Sequence, residues 1–365
     1  MLVSETLHEL ETPALVLDRP ILDRNLSRMQ ARMDGLGVRL RPHVKTTKSI
    51  DVVRRTGARS ITVSTLKEAE YFLDHGITDI LYAVGIAPGK LSHAAALIQR
   101  GANLTLILDN LAAAHAARAF PILIELDVDG HRSGVSPESD LLIEIAKALG
   151  SSLRGVMTHA GESYNCPSTD AIGVMAEQER AGAVRAAERL RAAGFEVPVV
   201  SVGSTPTATF ARDLSGITEV RAGVYMFHDL VMAGLGVCEI DDIALSVLVT
   251  VIGHQPDRGW IITDGGWMSL SRDRGTARQQ GFGVVRAVDG RAPSDDLIVT
   301  SANQEHGIIA RADGQRPDFT RYPVGSLLRI LPNHACATGA QHTHYNVVEG
   351  SNPEVVARWN RINGW

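Results

Sequence analysis

A chain of 365 residues, 44% hydrophobic and 21% charged, is long enough to bury a large core and to form a second domain. Its formal net charge of -5 and the absence of long basic runs argue against nucleic acid and membrane surfaces as partners. The three cysteines are widely spaced, and no signal peptide or membrane-spanning segment is recognisable. We therefore expect a cytoplasmic protein without a disulfide framework.

The N-terminal part of the chain begins with a polar lead, residues 1–11, and a β-like run from Thr12 to Asp18. The apolar spacing between Ile21 and Met33 then predicts a helix. Beyond it, short apolar runs alternate with helix-sized segments. We predict eight strands, at Val38–Pro42, Ser60–Thr65, Asp79–Val84, Leu104–Leu108, Ile122–Asp127, Arg154–His159, Pro198–Val202 and Glu219–Val224.

The seven intervals between these strands can hold helices. The clearest is the alanine-rich segment 170–194, where Gly194 is a stop signal. Further helices are predicted at 67–76, 90–101 and 138–149, with weaker patterns at 111–119 and 207–214. This alternation predicts a parallel (β/α)8 barrel over residues 12–240. A doubly wound open sheet is the alternative, which is disfavoured because no G-x-G-x-x-G motif follows the first strand.

Lys45 follows the first barrel strand, in the basic segment 41–48. Functional groups of such barrels lie where the strands end. A partly buried lysine there would lose its proton easily and could form a Schiff base with a carbonyl group. A solvated loop lysine is the alternative. Polar residues also follow other strands, at His43, 127–134, His159, Gly161, Tyr164 and 221–225.

Small residues follow the seventh and eighth strands, at 203–205 and 222–224. Their free backbone N–H groups and hydroxyls predict an anion-binding site, with two tight turns as the alternative. Strands one and eight are neighbours in a closed barrel. A lysine on the first strand that faces a phosphate site on the last two suits pyridoxal phosphate.

From about residue 241 the pattern consists of β-like runs without helices between them, which predicts an all-β domain over 241–365 together with residues 1–11. The loop from Trp267 to Gln280 is rich in Arg and Ser and is a candidate contact with a neighbouring subunit. The predicted strands are Ala244–Ile252, Gly259–Asp264, Gly281–Val288, Asp296–Thr300, Ser326–Leu331 and Tyr345–Val348.

His334 and Cys336 follow the fifth of these strands. Two residues apart on an extended backbone, they would point to the same side. Imidazole and thiolate are good ligands for a divalent cation, and only two protein ligands suit a catalytic Lewis acid. A buried cysteine beside a hydrogen-bonded histidine is the alternative. His342 and His344 could complete a cluster, but we expect them on the next turn.

Six motifs together resemble the fold-type III pyridoxal-phosphate enzymes, and more closely the D-serine dehydratase and D-threonine aldolase family, with its D-threo-3-hydroxyaspartate dehydratase branch nearest. The resemblance covers essentially the whole chain. It implies an alanine-racemase-like (β/α)8 barrel, a C-terminal all-β domain and a homodimer with shared active sites. The motifs are R-P-H-x-K-T near residue 45, G-H-R-S-G-V at 130–135, G-S-T-P-T at 203–207, R-A-G-V-Y at 221–225, N-Q-E-H-G at 303–307 and P-N-H-A-C at 332–336.

The resemblance also implies roles for individual residues. Lys45 would hold the cofactor covalently, with His43 close by. Arg132 and His159 would contact the cofactor ring or its phenolic oxygen, and Tyr164 would lie beside the ring and the substrate. The metal ligands would be His334 and Cys336, in the H-x-C form that resembles the dehydratases rather than the H-x-D of the aldolases. The phosphate would be surrounded by Gly203, Ser204, Thr205, Gly223, Val224 and Tyr225.

The function implied is that of a lyase which uses pyridoxal phosphate and a divalent metal (Zn, Mg or Mn). It would convert D-threo-3-hydroxyaspartate or D-serine into a 2-oxo acid and ammonia, with Lys45 removing the α-proton and the metal activating the hydroxyl. The main alternative is a D-threonine aldolase, which would release glycine and an aldehyde. A non-catalytic carrier is disfavoured by the β domain with its His334/Cys336 pair. A racemase would need a second base, for which no residue is recognisable.

Overall fold

The computed structural model describes residues 5–276, 279–293 and 295–365. Residues 1–4 of the polar lead and residues 277 and 278 of the predicted subunit-contact loop lie outside it. The chain forms two compact units. The first contains the described residues up to Ser27 together with Val224–Asn363, and the second contains Arg28–Gly223 with Gly364–Trp365.

Among the described residues, strands and helices alternate up to residue 222, and strands predominate after that. The α-helices are α1 (Arg19–Gly35), α2 (Ile50–Arg55), α3 (Leu66–Asp74), α4 (Leu91–Gln99), α5 (Leu111–Ala116), α6 (Leu141–Leu149), α7 (Thr169–Ala192), α8 (Thr205–Phe210), α9 (Leu230–Gly234), α10 (Trp267–Leu270) and α11 (Ala335–Gly339). The strands are β1 (Ala14–Asp18), β2 (Arg39–Pro42), β3 (Ser60–Val63), β4 (Asp79–Gly85), β5 (Asn103–Leu108), β6 (Ile122–Leu126), β7 (Leu153–Thr158), β8 (Val199–Val202), β9 (Glu219–Ala222), β10 (Leu245–Gln255), β11 (Trp260–Thr263), β12 (Val284–Ala287), β13 (Leu297–Ala302), β14 (Gly307–Arg311), β15 (Leu327–Leu331), β16 (His344–Glu349) and β17 (Asn352–Asn360).

The second unit is a nearly closed parallel barrel. This confirms the predicted (β/α)8 barrel and not the alternative, a doubly wound open sheet. Strands β2–β9 all pair in parallel, in the order β2-β9-β8-β7-β6-β5-β4-β3. The gap between β2 and β3 is spanned by a bridge between His43 and Thr62, where the Val44 N–H donates to the Thr62 carbonyl at 2.9 Å. All eight predicted strands are present.

Arg41 reinforces the same gap from inside the barrel. Its Nε donates to Glu219 Oε2 on β9 at 2.9 Å. Its Nη1 donates to the Ile61 carbonyl on β3 at 3.2 Å and to Asp79 Oδ1 on β4 at 2.9 Å. One buried guanidinium thus connects strands on both sides of the gap.

Local sequence explains the barrel elements. Strands buried on both faces need continuous apolar runs, and Ile122–Leu126 is buried at every position. Helix α3 begins where Thr65 caps the Glu68 N–H, and α7 begins where Ser168 caps the Ala171 N–H. The predicted stop at Gly194 is confirmed, because this glycine follows α7 with a φ of 88°. Helix α7 is also the longest, yet no helix among the described residues is both long and apolar enough to cross a membrane.

The first unit contains a nine-stranded sheet, in the order β11-β14-β13-β12-β15-β10-β1-β16-β17. Its pairs are antiparallel except for β1 and β16, which are parallel. The six strands predicted there are present, so the all-β character is confirmed. The prediction missed β14 and β17, and it was wrong in placing no helices between strands, because α10 and α11 are short helices in that region.

Strand β1 pairs within this nine-stranded sheet, next to β10 and β16. The predicted domains, 12–240 for the cofactor and 241–365 with 1–11 for the metal, were defined by what each one binds. Because that binding is not tested by the fold, these limits stay a prediction.

Candidate functional site

Lys45 lies directly beyond the C-terminal end of β2, in the turn that follows His43. The neighbouring Val44 is fully buried and anchors this turn, whereas the Lys45 side chain is exposed. The prediction of a partly buried amine was therefore wrong. Val44 occupies the inward position of the turn, and a small molecule can reach the exposed side chain of Lys45.

His43 comes directly after β2, just before Lys45. Its Nδ1 is buried without a hydrogen-bond partner among the described residues. Burial lowers the pKa of His43 well below its ordinary value, and the charges of Lys45, Arg221, His159 and Arg132 lower it further. The ring is therefore neutral, and several cationic groups converge on it.

His159, at the end of β7, is a second neutral histidine. Burial, together with the charges of Lys45 and Arg132, lowers its pKa to about 3. Its Nδ1 lies 3.1 Å from the Gly203 carbonyl. Because a carbonyl can only accept, Nδ1 carries the proton and Nε2 is left as an acceptor. The ring centroid is 6.4 Å from that of Tyr164, so the structure brings these two predicted residues together.

Arg132 belongs to a loop that is anchored on β6. Its Nη2 lies 3.6 Å from Glu125 Oε1, and Ser133 Oγ donates to Glu125 Oε2 at 3.1 Å. Burial raises the pKa of Glu125, and the charge of Arg132 opposes that effect. The G-H-R-S segment is thus attached to the barrel by a buried carboxylate that the sequence analysis did not single out.

Two glycines at the ends of β8 and β9 have no room for a side chain. Gly203 has a φ of 133°, and a Cβ there would lie 2.1 Å from the Arg221 carbonyl oxygen. A Cβ on Gly223 would lie 2.7 Å from the His43 carbonyl oxygen. These strand ends therefore require glycine, because the backbone of the neighbouring segment approaches each of them too closely for a side chain.

The backbone donors of the predicted phosphate site are partly in use. The Gly203 N–H donates to Glu179 Oε1 at 2.9 Å, and the Ser204 N–H donates to Thr207 Oγ1 at 3.1 Å. The prediction of free N–H groups was therefore wrong for these two residues. Glu179 also accepts from the Ala160 N–H at 3.1 Å, so this buried carboxylate joins the ends of β7 and β8. Nothing distinguishes it in the sequence from the other acids of α7.

Thr205 is buried in the first turn of α8, while Val224 and Tyr225 begin the first compact unit and are also buried. Burial raises the pKa of Tyr225, so its hydroxyl stays protonated. The cofactor contacts assigned to Thr205, Gly223, Val224 and Tyr225 by resemblance stay a prediction.

His334 and Cys336 lie where β15 leads into α11. The strand ends at Leu331, His334 is the N-cap residue, and Cys336 lies inside the helix. The argument from an extended backbone was therefore wrong, although the two side chains do contact each other. The turn from strand to helix brings them together. It is held by the buried Asp229, whose Oδ2 accepts from the Ala335 N–H at 2.9 Å.

Asp273 supports the imidazole of His334. Its Oδ2 lies 2.6 Å from His334 Nδ1. Burial lowers the pKa of His334, but the hydrogen bond to Asp273 and the contact with Cys336 outweigh it and raise the pKa to about 11. The same hydrogen bond lowers the pKa of Asp273 to about 2. A carboxylate at Nδ1 orients the ring so that Nε2 is the atom offered to a metal.

The other two histidines do not join this pair. His342 Nε2 lies 3.0 Å from the Ser269 carbonyl, and His344 Nδ1 lies 3.1 Å from Thr343 Oγ1. Within the described parts of the chain, no group of three or more His, Cys, Asp or Glu residues could hold a metal ion. The assignment of His334 and Cys336 as the two protein ligands of a metal stays a prediction.

The residues present fit both groups that the sequence implies. An accessible primary amine, a buried Nδ1 without a partner and two neutral histidines surround the place expected for an aldehyde cofactor. An oriented imidazole beside a thiol provides the nitrogen and sulfur donors that divalent transition metals prefer.

Comparison with protein families gives two successive matches along the chain. Residues 17–230 match the family described as "Alanine racemase, N-terminal domain". Residues 244–348 match the family described as "Putative serine dehydratase domain". The first match covers more than half of the chain.

Among individual proteins, D-threo-3-hydroxyaspartate dehydratase of Delftia sp. (strain HT23) is 55% identical over 383 residues, which cover 100% of both chains. A D-threonine aldolase of Arthrobacter sp. is 30% identical and covers 94% of this chain and 90% of its own. A solved structure of D-threo-3-hydroxyaspartate dehydratase, a cysteine-to-alanine mutant in the metal-free form, superimposes with a TM-score of 0.95. It is 54% identical and covers 99% of this chain and 100% of its own.

Proposed function

Because this chain belongs to the alanine-racemase-like family of D-serine dehydratases and D-threonine aldolases, we propose that it is a dehydratase acting on D-3-hydroxy amino acids. The reaction eliminates water and, after hydrolysis, gives a 2-oxo acid and ammonia. The observation that carries the proposal is the 55% identity over the full length to a D-threo-3-hydroxyaspartate dehydratase. D-threo-3-hydroxyaspartate is therefore the first candidate substrate and D-serine the second.

Lys45 would hold pyridoxal phosphate, which the alanine-racemase-like fold implies, and when bound this cofactor withdraws electrons from the α-carbon of the substrate. The exposed Nζ of Lys45 is the base that would accept the α-proton. His43 and His159 are neutral, so each ring has one nitrogen that can accept a hydrogen bond and neither adds a positive charge beside Lys45. Arg132 would hold negative charge on the ring oxygen or the substrate.

The phosphate group would lie at the ends of β8 and β9. The N–H groups of Gly203 and Ser204 already donate within the protein, and Ser204 Oγ accepts from the Thr207 N–H at 3.2 Å. We therefore assign the contacts of the phosphate to the proton of the Ser204 hydroxyl, to Thr205 and to the backbone from Gly223 onward. Gly223, Val224 and Tyr225 form that backbone. Tyr164 would lie beside the ring and the substrate.

His334 Nε2 and Cys336 Sγ would hold the divalent metal. The metal acts as a Lewis acid that makes the β-hydroxyl a better leaving group. Imidazole with thiolate favours Zn over Mg and Mn, whose usual ligands are oxygens. We also expect a cytoplasmic homodimer, as the family resemblance implies, and a sizing column tests the dimer directly.

The alternative, retro-aldol cleavage, is favoured by one observation, the 30% identity to a D-threonine aldolase. An aldolase would use the same lysine and metal but would break the bond between the α- and β-carbons. The H-x-C form of the metal pair favours the dehydratase, since the family resemblance associates H-x-D with the aldolases.

Product analysis separates the two reactions. The purified enzyme is incubated with D-threo-3-hydroxyaspartate, D-serine, D-threonine and L-serine, and both ammonia and glycine are measured. We expect ammonia with little glycine from the first two, and no product from L-serine. Rapid formation of glycine and acetaldehyde from D-threonine, with ammonia at background, would replace the dehydratase with an aldolase. Lys45→Ala is the control for background chemistry.

A further inference from the structure

A cavity of about 390 Å³ lies within the first compact unit, and its lining includes no residue assigned to the cofactor or the metal. It is bounded by the start of α1 and by the turns that follow β12 and β16. Its charged lining consists of four arginines, Arg24, Arg286, Arg291 and Arg329, and three aspartates, Asp18, Asp241 and Asp289.

Three of these arginines contact a carboxylate directly. Such pairs neutralise one another and need no further ligand. The contacts are Arg286 to Asp241 at 3.0 Å, Arg291 to Asp289 at 3.7 Å and Arg24 to Asp242 at 3.8 Å.

Arg329, on β15, differs from the other three. It is only 4% exposed, and its Nε donates to Ser246 Oγ at 2.9 Å. Its Nη1 is buried and has no hydrogen-bond partner in the described part of the chain. A buried donor on a charged group that lacks an acceptor is costly. The wall of this cavity therefore carries a cationic group that lacks an acceptor.

The acidic residues limit which acceptor fits. Asp18 is 4% exposed and lies close enough to Arg329 for each charge to affect the pKa of the other. Asp289 acts on Arg329 in the same way from the turn after β12. A ligand with two negative charges would be repelled by both aspartates. A ligand with one negative and one positive charge would instead find an opposite charge in the lining for each of its own.

We propose that this cavity binds a small zwitterion of the amino-acid class. The carboxylate of the ligand receives hydrogen bonds from Arg329, and its ammonium group faces Asp18, since Asp289 is already paired with Arg291. Arg291, whose side chain is 78% exposed, belongs to the solvent-exposed part of the lining. The proposal does not depend on the proposed function, because none of these residues contributes to the cofactor or metal sites.

Isothermal titration of the purified holoenzyme tests the proposal. The probes are glycine and L-serine as zwitterions, acetate and methylammonium as carriers of one charge each, and inorganic phosphate as a dianion. L-serine is chosen because we expect no turnover of the L-isomer. Saturable binding is expected for the two zwitterions, at least tenfold tighter than for the other three probes.

Two variants assign the binding to this cavity. Arg329→Met removes the cation with the unpartnered Nη1, and Ala292→Trp adds a bulky ring to the lining at an exposed position. Each should weaken L-serine binding at least tenfold, whereas Arg316→Met, an exposed arginine elsewhere in the same unit, should not. Ala292→Trp keeps the test decisive if Arg329→Met fails to fold.

Three results would overturn the proposal. The first is no saturable binding of either zwitterion to the unchanged enzyme. The second is L-serine binding that survives Ala292→Trp, which would place it elsewhere. The third is acetate or phosphate binding as tight as that of L-serine, which would leave a simple anion site.

Discussion

Asp273→Asn is the most informative single change at the candidate metal site. Asp273 Oδ2 lies 2.6 Å from His334 Nδ1, and its Oδ1 accepts from the Gly275 N–H at 2.7 Å, so the carboxylate is itself held in place. The substitution keeps the shape of the side chain and removes its charge. The hydrogen bond to His334 loses its charge assistance, and Nε2 becomes a poorer and less well oriented ligand.

The expected loss follows from how such supporting carboxylates act. Replacing a group that orients a metal-bound histidine typically weakens metal binding 10- to 100-fold, which is about 1.4–2.8 kcal/mol. The loss stays below that of removing a ligand, because Cys336 and the His334 ring are still present. Cofactor binding should not change, since Asp273 has no assigned role there.

The assay is metal affinity measured on stripped protein by competition with a chromophoric chelator, with Zn as the metal. The cofactor absorbance of each variant reports that the protein remains folded and loaded. Asp257→Asn is the matched control, since this exposed aspartate lies in the turn 256–258, far along the chain from the pair.

A Zn affinity for Asp273→Asn within threefold of the unchanged protein would refute this reasoning, and the contact with Asp273 would then be a surface ion pair of little consequence. An equal loss in Asp257→Asn would also refute it, because the effect would then be general rather than local.

Three further outcomes are expected. Borohydride should fix the cofactor onto Lys45, and Lys45→Ala should lose both turnover and the cofactor absorbance after desalting; a label on Lys48 would contradict the site. Arg41→Met should lower the free energy of unfolding in urea by about 3 kcal/mol, because it leaves Glu219 buried without its main cation; a loss below 1 kcal/mol would show that Arg41 does not hold the barrel gap. Burial raises the pKa of Glu219, but Arg41 outweighs burial and lowers it below 4.5. The stability that Glu219 provides is thus complete above pH 4.5 and lost as the pH falls through its folded pKa, so the difference in stability between the unchanged protein and Glu219→Gln should shrink in that range; a constant difference would contradict this.

Much of the barrel could be predicted because its signals are local. A strand buried on both faces is a short continuous apolar run, and a helix end is a capping residue or a glycine, so a few neighbouring residues carry the information. The eight strands and the stop at Gly194 were found in this way. The H-x-C pair was also found locally, since its members are two residues apart.

The sheet of the first unit shows where such signals fail. Strand β17 was missed because its burial alternates weakly and it begins with Asn352-Pro353, which resembles a turn. The strand character of β1 was recognised, but its pairing was not. Val16 faces Ser246 in one neighbouring strand and Asn346 in the other, and no local pattern encodes partners so far away.

The chain's own pattern of residues was enough to predict the barrel, the all-β region and the family, and to single out candidate reactive side chains. The burial of these side chains and their hydrogen-bond partners were decided by the tertiary structure. Val44 rather than Lys45 is buried, Glu179 takes the Gly203 N–H, and Asp273 reaches His334. Each of these depends on hydrogen bonds or burial among groups brought together from distant parts of the chain, and the types of residue alone do not specify which donor meets which acceptor.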